Sequence, residues 1–245
     1  MSLTGTPYIQ SSLVVLSSVR YGETSLIVKA YTRELGIQSY LVRGVLKPKK
    51  SGLRSAYFQP LSFLDAVVTH KPNSDRLETI KEARPLQAFS QIHSDVVKSS
   101  TVLFLAELFS ASLIEQQQDY DLFDFIIGCL EVLESEKSFP NYLIVVLLVL
   151  SKHLGIYPDS SLSNGTLFDP ATGQFQSETS RYSLSAVASM TLNEILGMNF
   201  DETMKTTMDK KTRGELLEGL VRYYDFHLAG FRRPKSLEVI RGLFE

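Results

Sequence analysis

From Ile9 to about Arg84, apolar and polar positions alternate on the two-residue period of β-strands. The run Ser11 to Arg20 carries Leu13, Val14, Val15 and Leu16 and breaks at Tyr21-Gly22. Ser25 to Thr32 resumes as a second strand, with Leu26, Val28 and Ala30 alternating with Ile27, Lys29 and Tyr31. Glu34-Leu35-Gly36 predicts a tight turn, the glycine supplying a positive φ, and Ile37 to Gly44 a third strand. Val45 to Tyr57 places Lys47, Lys49, Lys50 and Arg54 around Pro48, Ser51 and Gly52. That is too polar and too punctuated for a strand and predicts an exposed basic loop. Leu61 to His70 and Arg76 to Ala83 are further strands, separated by the turn signal Lys71-Pro72-Asn73-Ser74-Asp75. Five short strands in about 75 residues predict a small closed or partly closed barrel, for which the OB-fold is the commonest arrangement.

Beyond Pro85-Leu86 the period becomes helical. In Asp95 to Gln118, the residues Val102, Leu105, Ala106, Leu108, Phe109, Ser112 and Leu113 recur as one core-facing stripe. Asp121 is placed to cap a second helix, Leu122 to Leu133. Pro140 stands near the start of a third, whose run Leu143 to Leu150 is apolar all round and therefore central, with Gly155 ending it. Residues 158–181 read as loop with a small hairpin at Leu167 to Phe175, and helices follow at Leu184 to Leu196, Lys210 to Leu228 and, after Pro234, Lys235 to Leu243. The expected organisation is an N-terminal OB-fold β-barrel over residues 1–85 and a mostly α-helical domain over 86–245, with a short metal-free hairpin insertion near 160–180. Met1 to Pro7 is patternless and reads as a loose terminus.

Composition adds little, and charge adds much. Hydrophobic residues at 44% and charged residues at 21% are those of an ordinary globular chain. The longest apolar stretch, Leu143 to Leu150, is far short of the ~20 residues of a membrane helix, and no signal segment is visible. The single cysteine, Cys129, excludes an internal disulfide and a cysteine-based zinc site, which fits a reducing cytoplasm. The net charge of −2 hides an asymmetry: residues 1–85 carry 12 Lys and Arg against 6 Asp and Glu, and the remainder carries 13 against 21. Between Arg20 and Arg54 eight cations face only Glu23 and Glu34, a field that attracts a polyanion.

Nothing in the chain has the spacing of a nucleophile elbow, a phosphate loop, a dinucleotide glycine pattern or a metal site. His70, His93, His153 and His227 are scattered without partners at helical spacing and read as surface or packing residues. Asp169 in Phe-Asp-Pro-x-x-Gly is better explained by turn chemistry than by catalysis. No catalytic residue, metal or cofactor is expected. The basic segment is the strongest signal. Its cations lie on strands and their loop, Tyr21, Tyr31, Tyr40 and Tyr57 are interleaved with them, and an OB-like barrel offers a groove on which bases stack. The expected nucleic-acid contacts are therefore Lys29, Arg33, Arg43, Lys47, Lys49, Lys50 and Arg54 for phosphates, with Tyr40 as a stacking platform. Some of these tyrosines are alternatively barrel core, and an ordinary solvated face or a basic scaffold for an acidic protein remains the competing reading. A second basic cluster, His227, Arg232, Arg233, Lys235 and Arg241, either complements helix ends or receives an acidic partner.

The stretch Tyr21-Gly-Glu-Thr-Ser-Leu-Ile-Val-Lys-Ala-Tyr-Thr-Arg-Glu-Leu-Gly36, with Val42-Arg43-Gly44-Val45 and Phe58-Gln59-Pro60-Leu61, resembles the N-terminal barrel of the RecO family of recombination mediators. Phe104 to Leu108, Leu122 to Phe125, Tyr223-Tyr224-x-x-His227-Leu228-x-Gly230-Phe231 and Lys235 to Val239 are similar to its helical part, so the resemblance spans nearly the whole chain. It implies a barrel that binds single- and double-stranded DNA, anneals complementary strands and, with RecR, helps RecA displace single-strand-binding protein in the nucleoid. It also implies a helical domain that receives the acidic, Phe-ended tail of that protein, with Arg232 and Arg233 as carboxylate contacts. One departure stands out. Many family members carry a four-cysteine zinc module where this chain reads Asn164-Gly-Thr-Leu-Phe-Asp-Pro170, which resembles a zinc-less variant such as the Bacteroidetes would carry.

Overall fold

The computed structural model describes residues 8–47, 52–71, 77–113, 118–159 and 165–244. The expectations placed on Met1 to Pro7, Lys49, Lys50, the turn Pro72 to Asp75 and Asn164 lie outside the described residues. Two compact units divide the chain at Glu134 and Ser135.

In the first unit, strands β1 (Tyr8–Tyr21), β2 (Ser25–Thr32), β3 (Gly36–Val42), β4 (Phe63–Thr69) and β5 (Glu78–Pro85) form a closed barrel in the order β1-β2-β3-β5-β4. All pairs are antiparallel except β3 with β5, the arrangement of an OB-fold. The inward rows are those of the alternating pattern: Leu13 and Val15, Leu26, Val28 and Ala30, Tyr40 and Val42, Leu64, Ala66 and Val68, and Ile80. Each large aliphatic side chain taken fully from water contributes about 1.5–3 kcal/mol, so this register is strongly specified. Strand β1 begins earlier than its alternation suggests. Its first half pairs with β4 and its second with β2, across a bulge between Val15 and Ser17. The β2–β3 turn is locked because the Thr32 hydroxyl donates to the Gly36 carbonyl at 2.8 Å and accepts from the Leu35 amide at 3.0 Å, with Gly36 at φ 63°. Within the basic loop a 3-10 turn, Ser55–Phe58, drops Phe58 into the core.

Helices α1 (Ser90–Ser94), α2 (Val96–Ser112) and α3 (Tyr120–Ser135) complete the unit. Asp95 caps α2 by accepting from the Lys98 amide at 2.9 Å, and α2 ends at Ser112, short of the expected Gln118. The cap of α3 is Asp119, which accepts from the Leu122 amide at 2.9 Å, and not Asp121, which lies in the first turn. Glu134, near the end of α3, accepts from the amides of Gln91 and Ile92, both at 2.9 Å, and so holds α1.

The second unit is built around α4 (Tyr142–His153), in which every residue from Tyr142 to Leu148 is buried. With it are the hairpin β6 (Leu167–Asp169) and β7 (Gln174–Gln176), and helices α5 (Ala186–Ile195), α6 (Phe200–Lys205), α7 (Lys210–His227) and α8 (Leu237–Phe244). The Tyr224 hydroxyl on α7 donates to the Leu147 carbonyl at 2.6 Å, tying α7 to the central helix. Gly219 permits the closest packing of α7, since a Cβ there would stand 2.7 Å from Leu184. Among the described residues no helix is long and apolar enough to cross a membrane.

Candidate nucleic-acid interface

The bend in β1 brings both of its ends to one mouth of the barrel. At its end, Tyr21 pairs with Ser25, and Leu26 just beyond pairs with Val42 at the end of β3. At its start, Tyr8 faces Thr69 on β4, whose hydroxyl accepts from the Thr79 amide on β5 at 2.8 Å, and Thr79 in turn faces Leu41 on β3. The loop after β3 is fastened to the β1–β2 tip. The Leu46 amide donates to the Thr24 carbonyl at 3.0 Å, and the Gly44 amide meets the Ser25 hydroxyl at 3.4 Å. Arg20, Tyr21, Arg43 and Lys47 are therefore neighbours on this mouth, all exposed, with Tyr21 at 56%. Arg54 is exposed at the head of the 3-10 turn. Two residues that the sequence reading missed belong to the same mouth: Tyr8, 55% exposed, and Lys81, whose ammonium stands 4.7 Å from the centre of the Tyr8 ring. The strand parity that buries Ile80 exposes Lys81, a signal legible in the sequence, whereas Tyr8 adjoins the patternless terminus.

Two of the expected phosphate contacts, Lys29 and Arg33, face elsewhere, and the interleaved Tyr31 lies with them. Lys29, Tyr31 and Arg33 lie on the outer side of β2 and just beyond it, and α2 and α3 cover that side. The Lys29 ammonium donates to the Ser110 carbonyl at 2.6 Å and its hydroxyl at 3.3 Å, and burial lowers the lysine's pKa. Tyr31 is 2% exposed and stacks on Phe123, with its hydroxyl pushed up to about 12 by burial and by Asp119. Arg33 grips both oxygens of Asp124 and lies over the rings of Tyr120 and Phe123, at 5.3 and 5.4 Å. Tyr40 is corrected outright as a stacking platform. It is wholly buried in the barrel core, its hydroxyl lacks a hydrogen-bond partner among the described residues, and burial raises that hydroxyl's pKa. No face of the ring is open to a base.

The description Recombination protein O N terminal matches residues 7–89, and Recombination protein O C terminal matches residues 93–238. The chain belongs to the RecO family. It is 36% identical over 236 residues to the DNA repair protein RecO of Flavobacterium psychrophilum, covering 96% of this chain and 99% of that protein. The DNA repair protein RecO of Flavobacterium johnsoniae is 35% identical over 236 residues and that of Christiangramia forsetii 32% over 237, each again covering 96% of this chain and 99% of the relative. RecO membership carries a role in recombinational DNA repair. The two RecO regions meet between residues 89 and 93, whereas packing divides the chain after Glu134, because α2 and α3 are bonded to the barrel wall.

The second unit of this RecO chain carries two further features. A cleft of about 470 Å³ is lined by Leu143, Ile144 and Leu217, with Lys211, Arg213 and Arg241 among its cations. Of the two arginines expected to take a partner carboxylate, Arg232 is exposed, but Arg233 is already paired with Glu218, which also takes Arg222 at 3.4 Å. The other feature is the hairpin that stands where many RecO proteins hold zinc. Its residues do not fit a four-thiolate site. Cys129 is buried in α3, Asp169 accepts from the Ala171 amide at 2.7 Å to make its turn, and His227 is engaged with the Pro170 carbonyl at 3.0 Å. Aromatic packing holds the hairpin instead, with Phe168 5.2 Å from Phe175 and 6.0 Å from Tyr223, ring centre to ring centre.

Proposed function

We propose that this chain is a DNA-binding recombination mediator and strand-annealing protein, which helps RecA load onto DNA coated by single-strand-binding protein. The observation that carries the reading is the barrel mouth, where Arg20 is exposed at the end of β1 and Arg43 and Lys47 are exposed on the loop fastened to the β1–β2 tip. Cations held this way neutralise phosphates without recognising sequence, which is what a protein acting on any broken DNA requires. The chain then works by positioning strands, with no bond made or broken. In this reading RecR is the partner that joins it at the DNA, RecA is reached indirectly, and the acidic, Phe-ended tail of single-strand-binding protein docks on the helical unit. The apolar cleft of that unit, rimmed by cations and by Glu215 and Glu218, supports a tail-binding role: an aromatic side chain suits Leu143, Ile144 and Leu217, and a carboxylate suits Lys211.

Annealing of two complementary labelled strands, each coated with single-strand-binding protein, tests the whole reading. Acceleration by this chain is expected. An annealing rate equal to that of the coated strands alone would overturn it.

A further inference from the structure

The cation-bearing mouth of the barrel contains a cleft of about 340 Å³, at the small end of the roughly 300–1,000 Å³ range of ligand sites. Leu41, Leu53 and Ile80 are its buried and half-buried lining, and Tyr8, Arg43 and Lys81 are its exposed members. Apolar surface flanked by an open aromatic ring and two cations is the chemistry of an unpaired nucleotide: a flat base for the ring, phosphates for the cations. We propose that this cleft is a subsite for one unpaired nucleobase, stacked on Tyr8, with the flanking phosphates on Arg43 and Lys81. The inference rests on the DNA-binding reading of the barrel and adds to it a means of preferring single strands to duplex.

The local geometry favours an open platform. Tyr8 is fixed by strand pairing, since Ile9 and Gln10 continue the ladder opposite Val68 and Val67, so the ring is held out from a rigid wall. Lys81 lies over that ring, its ammonium 4.7 Å from the ring centre. Asp65 on β4 is taken by Gln10 at 3.0 Å and by Arg84 at 2.9 Å, and Glu78 accepts from the Lys71 amide at 2.6 Å. A cation over an exposed ring is worth about 2- to 5-fold in an equilibrium, whereas stacking a base on an aromatic ring is worth about 5- to 150-fold. An incoming base therefore displaces the lysine, which then meets the phosphate that arrives with it. A duplex presents no unstacked base and gains only the cations.

Fluorescence anisotropy with the full chain, using a labelled thymidine oligonucleotide and a labelled duplex, separates the possibilities. Tyr8→Ala is expected to weaken single-strand binding about 5- to 150-fold while leaving duplex binding unchanged, and Tyr8→Phe is expected to bind both as the parent does. Photo-crosslinking of an oligonucleotide carrying 5-iodouracil is expected to attach to Tyr8, a readout independent of the stability of any variant. If Tyr8→Ala binds single strands as well as the parent, or weakens single strand and duplex equally, or if the crosslink maps away from this cleft, the subsite is wrong. Loss of both DNA affinities in Arg43→Ala would in those cases leave the DNA-binding reading standing. Absence of binding by the parent chain would remove that reading and the subsite together.

Discussion

The ammonium of Lys29, on β2, is held 2.6 Å from the carbonyl oxygen of Ser110, in the last turn of α2. A cation at a helix C-terminus offsets carbonyls that have no partner within the helix and complements the helix dipole. Lys29 therefore fastens a helix to the barrel wall. Lys29→Met is expected to lower the unfolding free energy by about 1–2 kcal/mol, measured by urea denaturation, and to leave DNA affinity as it was. A variant with parental stability and weakened DNA binding would return Lys29 to the interface.

Tyr40 permits a complementary test. Its buried hydroxyl has no partner among the described residues, and such a group costs about 1–3 kcal/mol to desolvate. Tyr40→Phe is expected to be neutral or to raise the melting temperature, with DNA binding unaltered. A fall in affinity without a fall in stability would show that the hydroxyl meets DNA after all.

The barrel was legible because Leu26, Val28 and Ala30 alternate cleanly and Gly22 and Gly36 punctuate them. The parity of β3 was not, because Ile37 and Leu41 make its other face as apolar as the one bearing Tyr40 and Val42. Lys29 and Arg33 look locally like Arg43 and Lys47. What separates them is cover from Ser110 and Asp124, 81 and 91 residues away along the chain, which no local pattern encodes. Helices α1 and α6, of five and six residues, are too short to show a periodicity. Asp119 and Asp121 are chemically equal candidates for one cap, and only the backbone entering α3 decides between them.

A pH dependence follows from Glu134. Burial alone would raise its carboxyl, but the amides of Gln91 and Ile92 and the hydroxyl of Ser90 outweigh that and hold the pKa below the ordinary 4.5. A depressed folded-state pKa means stability that is fully present above 4.5 and is lost as pH falls through the lower folded value. Glu134→Gln is expected to be less stable than the parent at pH 7 by about 0.5–2 kcal/mol, the range for losing a helix cap. The gap should close on acidification below 4.5, as followed by urea denaturation at several pH values. A gap independent of pH would mean that the charge contributes nothing.

For the helical unit, the pairing of Arg233 with Glu218 predicts which cations matter to an acidic, Phe-ended peptide. Isothermal titration is expected to show Arg233→Ala binding as the parent does, and Lys211→Glu binding at least about tenfold more weakly, since a like charge then faces the peptide. The reverse order would move the docking site from the cleft to the Arg232–Arg233 segment.

Titration of labelled single-stranded DNA across a range of salt concentrations bears hardest on the barrel mouth. The logarithm of the affinity should fall linearly with the logarithm of salt, at about −0.7 per phosphate contact. Joint replacement of Arg43, Lys47 and Arg54 by alanine should make that slope shallower by about 2 and weaken binding at every salt concentration. An affinity indifferent to salt, or a slope that the triple replacement leaves unchanged, would contradict DNA binding at this mouth.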